Sequence, residues 1–171
     1  MEGDTRHSFA RLSQVEARRA LHDADWAAYR LRSLCDFWIT HDVPAERSRY
    51  LEVDGAWPGI CRVLRQLGVP VELFDGTISL AVNAGTDFEA ARIVLPTSVV
   101  TAAAHLQGAP ITAAVAALSL VHVHAGDAVR TRRTAAQEYR YRRQVAESGN
   151  DLARFFTAAA AARDAVVSAV A

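Results

Sequence analysis

Apolar positions recur at alternating spacings of three and four along Leu21, Ala24, Ala28, Leu31, Cys35 and Trp38. Such a run makes one continuous stripe on a helix, close to a heptad seam. Asp23, Asp25, Arg30, Arg32 and Asp36 fall off it. Ser13-Gln14-Val15-Glu16 has the form of a capping box, so the pattern predicts a long helix within 8–40. It should stop before Pro44, because the residue before a proline avoids the helical region. A short helix is expected over about 44–53, stopped at Asp54-Gly55. Trp57-Pro58 opens another, since the missing proline N–H has no partner to lose in a first turn. Ile60, Val63, Leu64 and Leu67 supply its inner face, with Gly68 and Pro70 as the stop.

The one strong β signal is VELF-DG-TISLAV, over about 71–82. Asp75-Gly76 suits a two-residue type I′ turn, where both positions need positive φ. This predicts a hairpin with Phe74 opposite Thr77 and Leu73 opposite Ile78. Thr86-Asp87-Phe88-Glu89 is a second capping box, opening a short helix to about Val94. Thr97 or Ser98 caps the next helix and Gly108 closes it. Pro110 starts one running to about His124, and Asp127 caps an arginine-rich helix to about Glu147. After a break at 148–151, a last helix carries Leu152, Phe155, Phe156, Ala159, Ala162, Val166 and Val170 on one side. The fold expected is mainly α: a compact bundle of about six to eight helices with one inserted hairpin. All 171 residues form a single domain, with 1–7 as a disordered arm.

Composition narrows the chemistry. The chain holds 19 acids and 19 bases, and every base is arginine. Zero net charge removes bulk electrostatic attraction to nucleic acid or an anionic membrane; only a local patch could supply it. The absence of lysine removes Schiff bases, a lysine general base and a phosphate-loop lysine. Codon bias accounts for it better than selection, given the wealth of Ala, Val and Arg. The polar start MEGDTRHSF has no leader character, and Cys35 and Cys61 sit in apolar helical segments. Two reduced thiols in a cytoplasmic protein are the expectation.

Charge is unevenly spread. Ile93 to Gly126 contains 34 residues without one Asp, Glu, Lys or Arg. Pro96, Gly108 and Pro110 cut this stretch into pieces too short to span a bilayer, which needs about 20 residues. It therefore reads as a buried helical hairpin over about 97–125, and a membrane is not an expected partner.

The candidate site residues fall in two groups. His122 and His124 could share a face on a strand and ligate a metal, with His105, His41, Asp127 or Cys61 as a third ligand. On a helix they diverge, and the alanine-rich run before them favours a helix, so no metal or other cofactor is expected. His122, His124 and His105 are also the weak candidates for acid–base catalysis. The second group is VRTRRTAAQEYRYRR: Arg130, Arg132, Arg133, Tyr139, Arg140, Tyr141, Arg142 and Arg143. Guanidinium with tyrosine suits phosphate and stacked bases, but the arginines do not form one stripe. Trp26, Trp38, Trp57, Tyr29 and Phe37 could line a pocket, although aromatics at helical spacing are more often core. His41-Asp42 fits helix capping. No nucleotide, nucleophile-elbow or metalloprotease motif is present.

The leading function is a non-enzymatic interaction or assembly module, self-associating or binding a protein partner. The long first seam and the apolar C-terminal faces motivate it. Nucleic-acid binding through the arginine-rich helix at 128–146 is the alternative. A small helical enzyme or ligand-binding protein with a histidine-lined pocket is the third.

Overall fold

The computed structural model describes residues 6–39, 41, 43–53, 55–80, 90–118 and 134–170. Within them the order of elements is β1 (His7–Leu12), α1 (Gln14–His22), α2 (Ala24–Ile39), β2 (Tyr50–Glu52), α3 (Trp57–Gln66), α4 (Glu72–Asp75), β3 (Ile78–Leu80), β4 (Ala90–Val94), α5 (Pro96–Leu106), α6 (Ile111–Ala117), α7 (Ala135–Ala162) and β5 (Ala165–Val170). The five strands make one sheet in the order β2-β1-β5-β4-β3, and every neighbouring pair is antiparallel. The protein is therefore mixed α/β, and the expectation of an all-α helical bundle with one hairpin is overturned.

The sheet is covered on both faces. On one side Ala10, Leu12, Tyr50, Leu80, Ile93, Ala165, Val167 and Ala169 pack with Ala17 and Ala20 of α1 and Ala27, Leu31 and Leu34 of α2. On the other, Phe9, Val94 and Val166 pack with α3, α4, α5, α6 and the buried side of α7. Double burial of the central strand β5 explains why its sequence carries no strand alternation. A strand with one wet face alternates polar and apolar residues, whereas one buried on both faces is a short apolar run. β5 is AVVSAV, with its first five residues buried. In sequence its valines at 166 and 170 extend the helical stripe of Phe155, Phe156 and Ala159.

Other corrections have local causes. β1 begins at His7, inside the expected arm, and pairs along its whole length with β5. Residues 45–47 form turns, and Tyr50–Glu52 is an edge strand rather than part of a helix. The hairpin expected at 71–82 does not form. Glu72–Asp75 is one helical turn that buries Phe74 against Phe156, their rings 5.0 Å apart. Gly76 has φ 70° and ψ 153°, an extended mirror-image conformation rather than a type I′ turn. A Cβ there would lie 2.9 Å from the Ile93 carbonyl oxygen, so Gly76 lets the chain run against β4. Ile78 then pairs with Ile93, where a short helix was expected.

The long seam helix divides in two. The Ser13 capping box forms as expected, but the helix breaks at Asp23. Asp23 closes α1, and its Oδ1 then accepts from the Trp26 N–H at 2.9 Å to open α2. α3 begins at Trp57-Pro58 and ends before Gly68 (φ +72°), as the sequence indicates. α7 starts at Thr134, whose capping box uses Gln137, and continues through the break expected at 148–151. Gly149 is tolerated mid-helix because a Cβ there would meet Ile111 Cγ2 at 2.9 Å; α6 crosses α7 at that point.

Of the central helical hairpin expected at 97–125, residues 119–125 lie outside the described residues, and within the rest α5 and α6 do not form a wrapped core. They are an outer layer on α7 that buries Val99, Ala102, Leu106, Ile111 and Val115 and leaves Val100 exposed. The two axes meet at 63°, and no single helix among the described residues is long and apolar enough to cross a membrane.

Candidate functional site

α2 turns Ala27, Leu31 and Leu34 onto the sheet, with Trp38 and Cys35 packed beside them. Three sequence-predicted stripe residues, Leu31, Cys35 and Trp38, are thus on the inner side, while Leu21 in α1 is 42% exposed. Because α2 is held by its inner side, its outer side is presented as a rigid surface. Tyr29 is 72% exposed there and Phe37 52%. Between them Arg32, Ser33 and Asp36 complete the lining of a shallow, open depression of about 400 Å³. The small Ser33 forms the floor between two aromatics, each one helical turn away. The His41 ring stacks on Phe37 with centroids 4.4 Å apart, and its Nδ1–H donates to the Phe37 carbonyl at 2.6 Å.

An ionic hub anchors α2. Glu16 Oε1 accepts from Arg30 at 2.7 Å, and its Oε2 pairs with Arg49 and closes the capping box by accepting from the Ser13 N–H. Burial by itself would raise the Glu16 pKa. The hydrogen bonds from Arg49 and Ser13 outweigh that and hold it at about 2. Arg49 also donates to the Arg11 carbonyl, and Arg11 pairs with Asp164 at 3.0 Å. The hub links β1, α1, α2, the segment before β2, and the turn between α7 and β5. Tyr50 adds a hydrogen bond with Cys35; burial and this bond both push its phenol pKa up.

The opposite face of the sheet encloses a second polar feature. His7 Nε2 lies 3.1 Å from Ser168 Oγ, with both residues buried. The imidazole stacks on Trp57 at 4.3 Å and tilts against Phe9 at 5.0 Å. Desolvation lowers the His7 pKa to about 4, so the ring is neutral near pH 7. A buried imidazole and hydroxyl in contact could exchange a proton. Their surroundings are the packed rings of Trp57, Phe9 and Phe156, which suits a satisfied core pair.

The residues singled out from sequence are scattered. His122, His124, Arg130, Arg132 and Arg133 lie outside the described residues. His105 is exposed in the last turn of α5. Tyr139 and Arg140 are exposed on α7, whereas Tyr141 is buried, its hydroxyl against Gly59. Arg142 donates to Glu138 at 2.9 Å and to the Ala116 carbonyl at 3.3 Å, and Arg143 donates to Glu147 at 2.7 Å. No group of three or more His, Cys, Asp or Glu among the described residues could hold a metal ion. Cys35 and Cys61 are both free cysteines with no disulfide between them, and burial pushes the Cys61 thiol up to about 12. Tyr29 and Phe37 read as core by helical spacing. The signal that they face outward was already present, since both fall off the stripe through Leu31, Cys35 and Trp38. His7 and Ser168 carried no such signal, being 161 positions apart.

These features define a three-layer α/β protein: an antiparallel sheet between two helical layers, with an aromatic outer face on one of them. The chain belongs to the family described as "Domain of unknown function (DUF1877)", whose model matches residues 5–169. No curated protein and no solved structure matches it.

Proposed function

We propose that this protein is a non-enzymatic interaction and assembly module that docks through the outer face of α2. The observation that carries this reading is the pair of exposed aromatics, Tyr29 and Phe37, flanking a shallow depression on a helix whose other side is fixed to the sheet. Tyrosine, phenylalanine and arginine are enriched where protein surfaces meet, and aromatic anchors there carry a large share of the binding energy. The depression is open and shallow, which suits a protein surface better than an enclosed small molecule. Rigidity favours the role too, because a preordered face loses little entropy on docking. Nucleic-acid binding through α7 is less favoured, because Tyr141 is buried and Arg142 and Arg143 are engaged with acids. Two cysteines that are not joined to each other suit a reducing compartment, and we place the protein's work in the cytoplasm.

A photo-activated cross-linker at position 33 tests the reading in intact cells. Adducts with protein that vanish when Tyr29 and Phe37 are both changed to serine support it. Absence of adducts from position 33, with the folded protein present, refutes it.

A further inference from the structure

We infer that the occupant of the α2 face is a second copy of this chain, with the two α2 helices crossing antiparallel about a two-fold axis at Ser33. This rests on the docking role proposed above and names its partner. The argument is self-complementarity. A closed homodimer uses the same patch on both subunits, so any patch that serves it must match its own rotated image. Tyr29 stands four positions before Ser33 and Phe37 four positions after it. Rotation about Ser33 therefore brings Tyr29 level with the partner's Phe37, and Phe37 level with the partner's Tyr29. The small Ser33 at the centre lets the two backbones approach.

Charge follows the same symmetry. Arg32 and Asp36, spaced by four, share one side of the helix. A two-fold axis keeps that side against itself. At about 1.5 Å of rise per residue, Arg32 lies only about 3 Å along the axis from the partner's Asp36. Each interface then contains two Arg–Asp pairs of opposite sign. Had both positions carried one sign, the same rotation would bring like charges together. The chain as a whole has zero net charge, so no long-range repulsion opposes pairing of two copies near neutral pH.

Charge exchange tests this by sedimentation equilibrium of the full chain. Concentrations from roughly 1 to 300 µM cover the range expected of a modest interface. The wild type is expected to be a concentration-dependent dimer. Arg32→Asp places acids opposite acids, and Asp36→Arg places arginines opposite arginines. Each variant alone should dimerise at least about tenfold more weakly, a loss of about 1.4 kcal/mol. An equimolar mixture of the two should recover dimerisation as a heterodimer, because every facing pair is then opposite in sign. The double exchange Arg32→Asp with Asp36→Arg should recover it within one chain. Loss of helix stability alone cannot yield rescue on mixing, and circular dichroism of each single variant confirms folding. A wild type that stays monomeric, or a mixture that fails to associate, overturns the homodimer. If position 33 nevertheless cross-links to a different protein, the docking role stands and only this choice of partner is lost. If it cross-links to nothing and the wild type also stays monomeric in sedimentation, both are lost.

Discussion

His7 and Ser168 touch across the sheet at 3.1 Å, although 161 positions separate them in the chain. The contact follows from register. Phe9 pairs with Ser168 and His7 with Val170, so His7 and Ser168 are diagonal neighbours on one face. Trp57 covers the imidazole, and burial lowers its pKa from 6.5 to about 4. Between those values the unfolded chain binds a proton that the folded chain refuses. Stability should therefore fall as pH drops from about 6.5 to about 4, by roughly 3 kcal/mol at most, and level off below. Urea denaturation of wild type and His7→Gln at several pH values checks this. The difference between the two should shrink on acidification across that window. A constant difference would rule the titration out.

Arg11 and Asp164 join β1 to the turn before β5, and their side chains are only 11% and 13% exposed. Removing one partner strands the other charge in a dry site. Arg11→Met and Asp164→Asn should each cost about 3 kcal/mol. Replacing both with apolar residues should cost clearly less than the sum. A double-mutant cycle by thermal or chemical unfolding measures the coupling.

Glu16 is both the end of a capping box and the acid shared by Arg30 and Arg49. Glu16→Gln keeps the cap and removes the charge. It should cost about 1 kcal/mol at neutral pH. Ser13→Ala, which removes the cap hydroxyl, should cost a similar amount, about 1 kcal/mol. Because the Glu16 pKa is depressed to about 2, its stabilisation is full above about 4.5 and is lost as pH falls toward 2. Glu16→Gln should show a shallower acid limb over that range.

Gly59 marks the crossing of α3 and α7. A Cβ there would meet Val145 Cγ2 at 2.6 Å and the Tyr141 hydroxyl at 2.9 Å. Glycine to alanine inside a helix ordinarily stabilises by up to about 1 kcal/mol. Here Gly59→Ala should instead destabilise by about 1–3 kcal/mol through overpacking. Adding Val145→Ala should recover part of the loss despite opening space of its own. Equal midpoints for Gly59→Ala and wild type would show that the crossing has slack.

The legible parts of the chain were those with local causes. Ser13 and Glu16 satisfy each other's backbone within one turn, so the start of α1 needed nothing distant. Trp57-Pro58 and Gly68 bound α3 for the same reason, through the proline ring and a positive φ. Asp75-Gly76 misled because its turn chemistry is local and its actual partner is not. Gly76 runs against Arg92 and Ile93, and Phe74 drops into the core beside Phe156. Of the candidate site, Tyr29 and Phe37 were visible as residues off the apolar stripe, but their exposure depended on which side of α2 the sheet took.

By itself the sequence determined the Ser13–Glu16 cap, the Trp57-Pro58 and Gly68 bounds of α3, part of the inner side of α2 (Leu31, with Cys35 and Trp38 beside it), and a chemistry without lysine. Each is set within a few residues, by hydrogen bonds one turn apart or by the presence or absence of a side chain. Only tertiary structure decided that Ala165–Val170 is the central strand and not the end of a helix. That run is apolar on both sides, and its period cannot distinguish a strand from a helix. Pairing with His7–Leu12 and with Ala90–Val94 satisfies its backbone, and helical layers on both faces cover its side chains. Those partners lie up to 163 positions away, where no local pattern reaches.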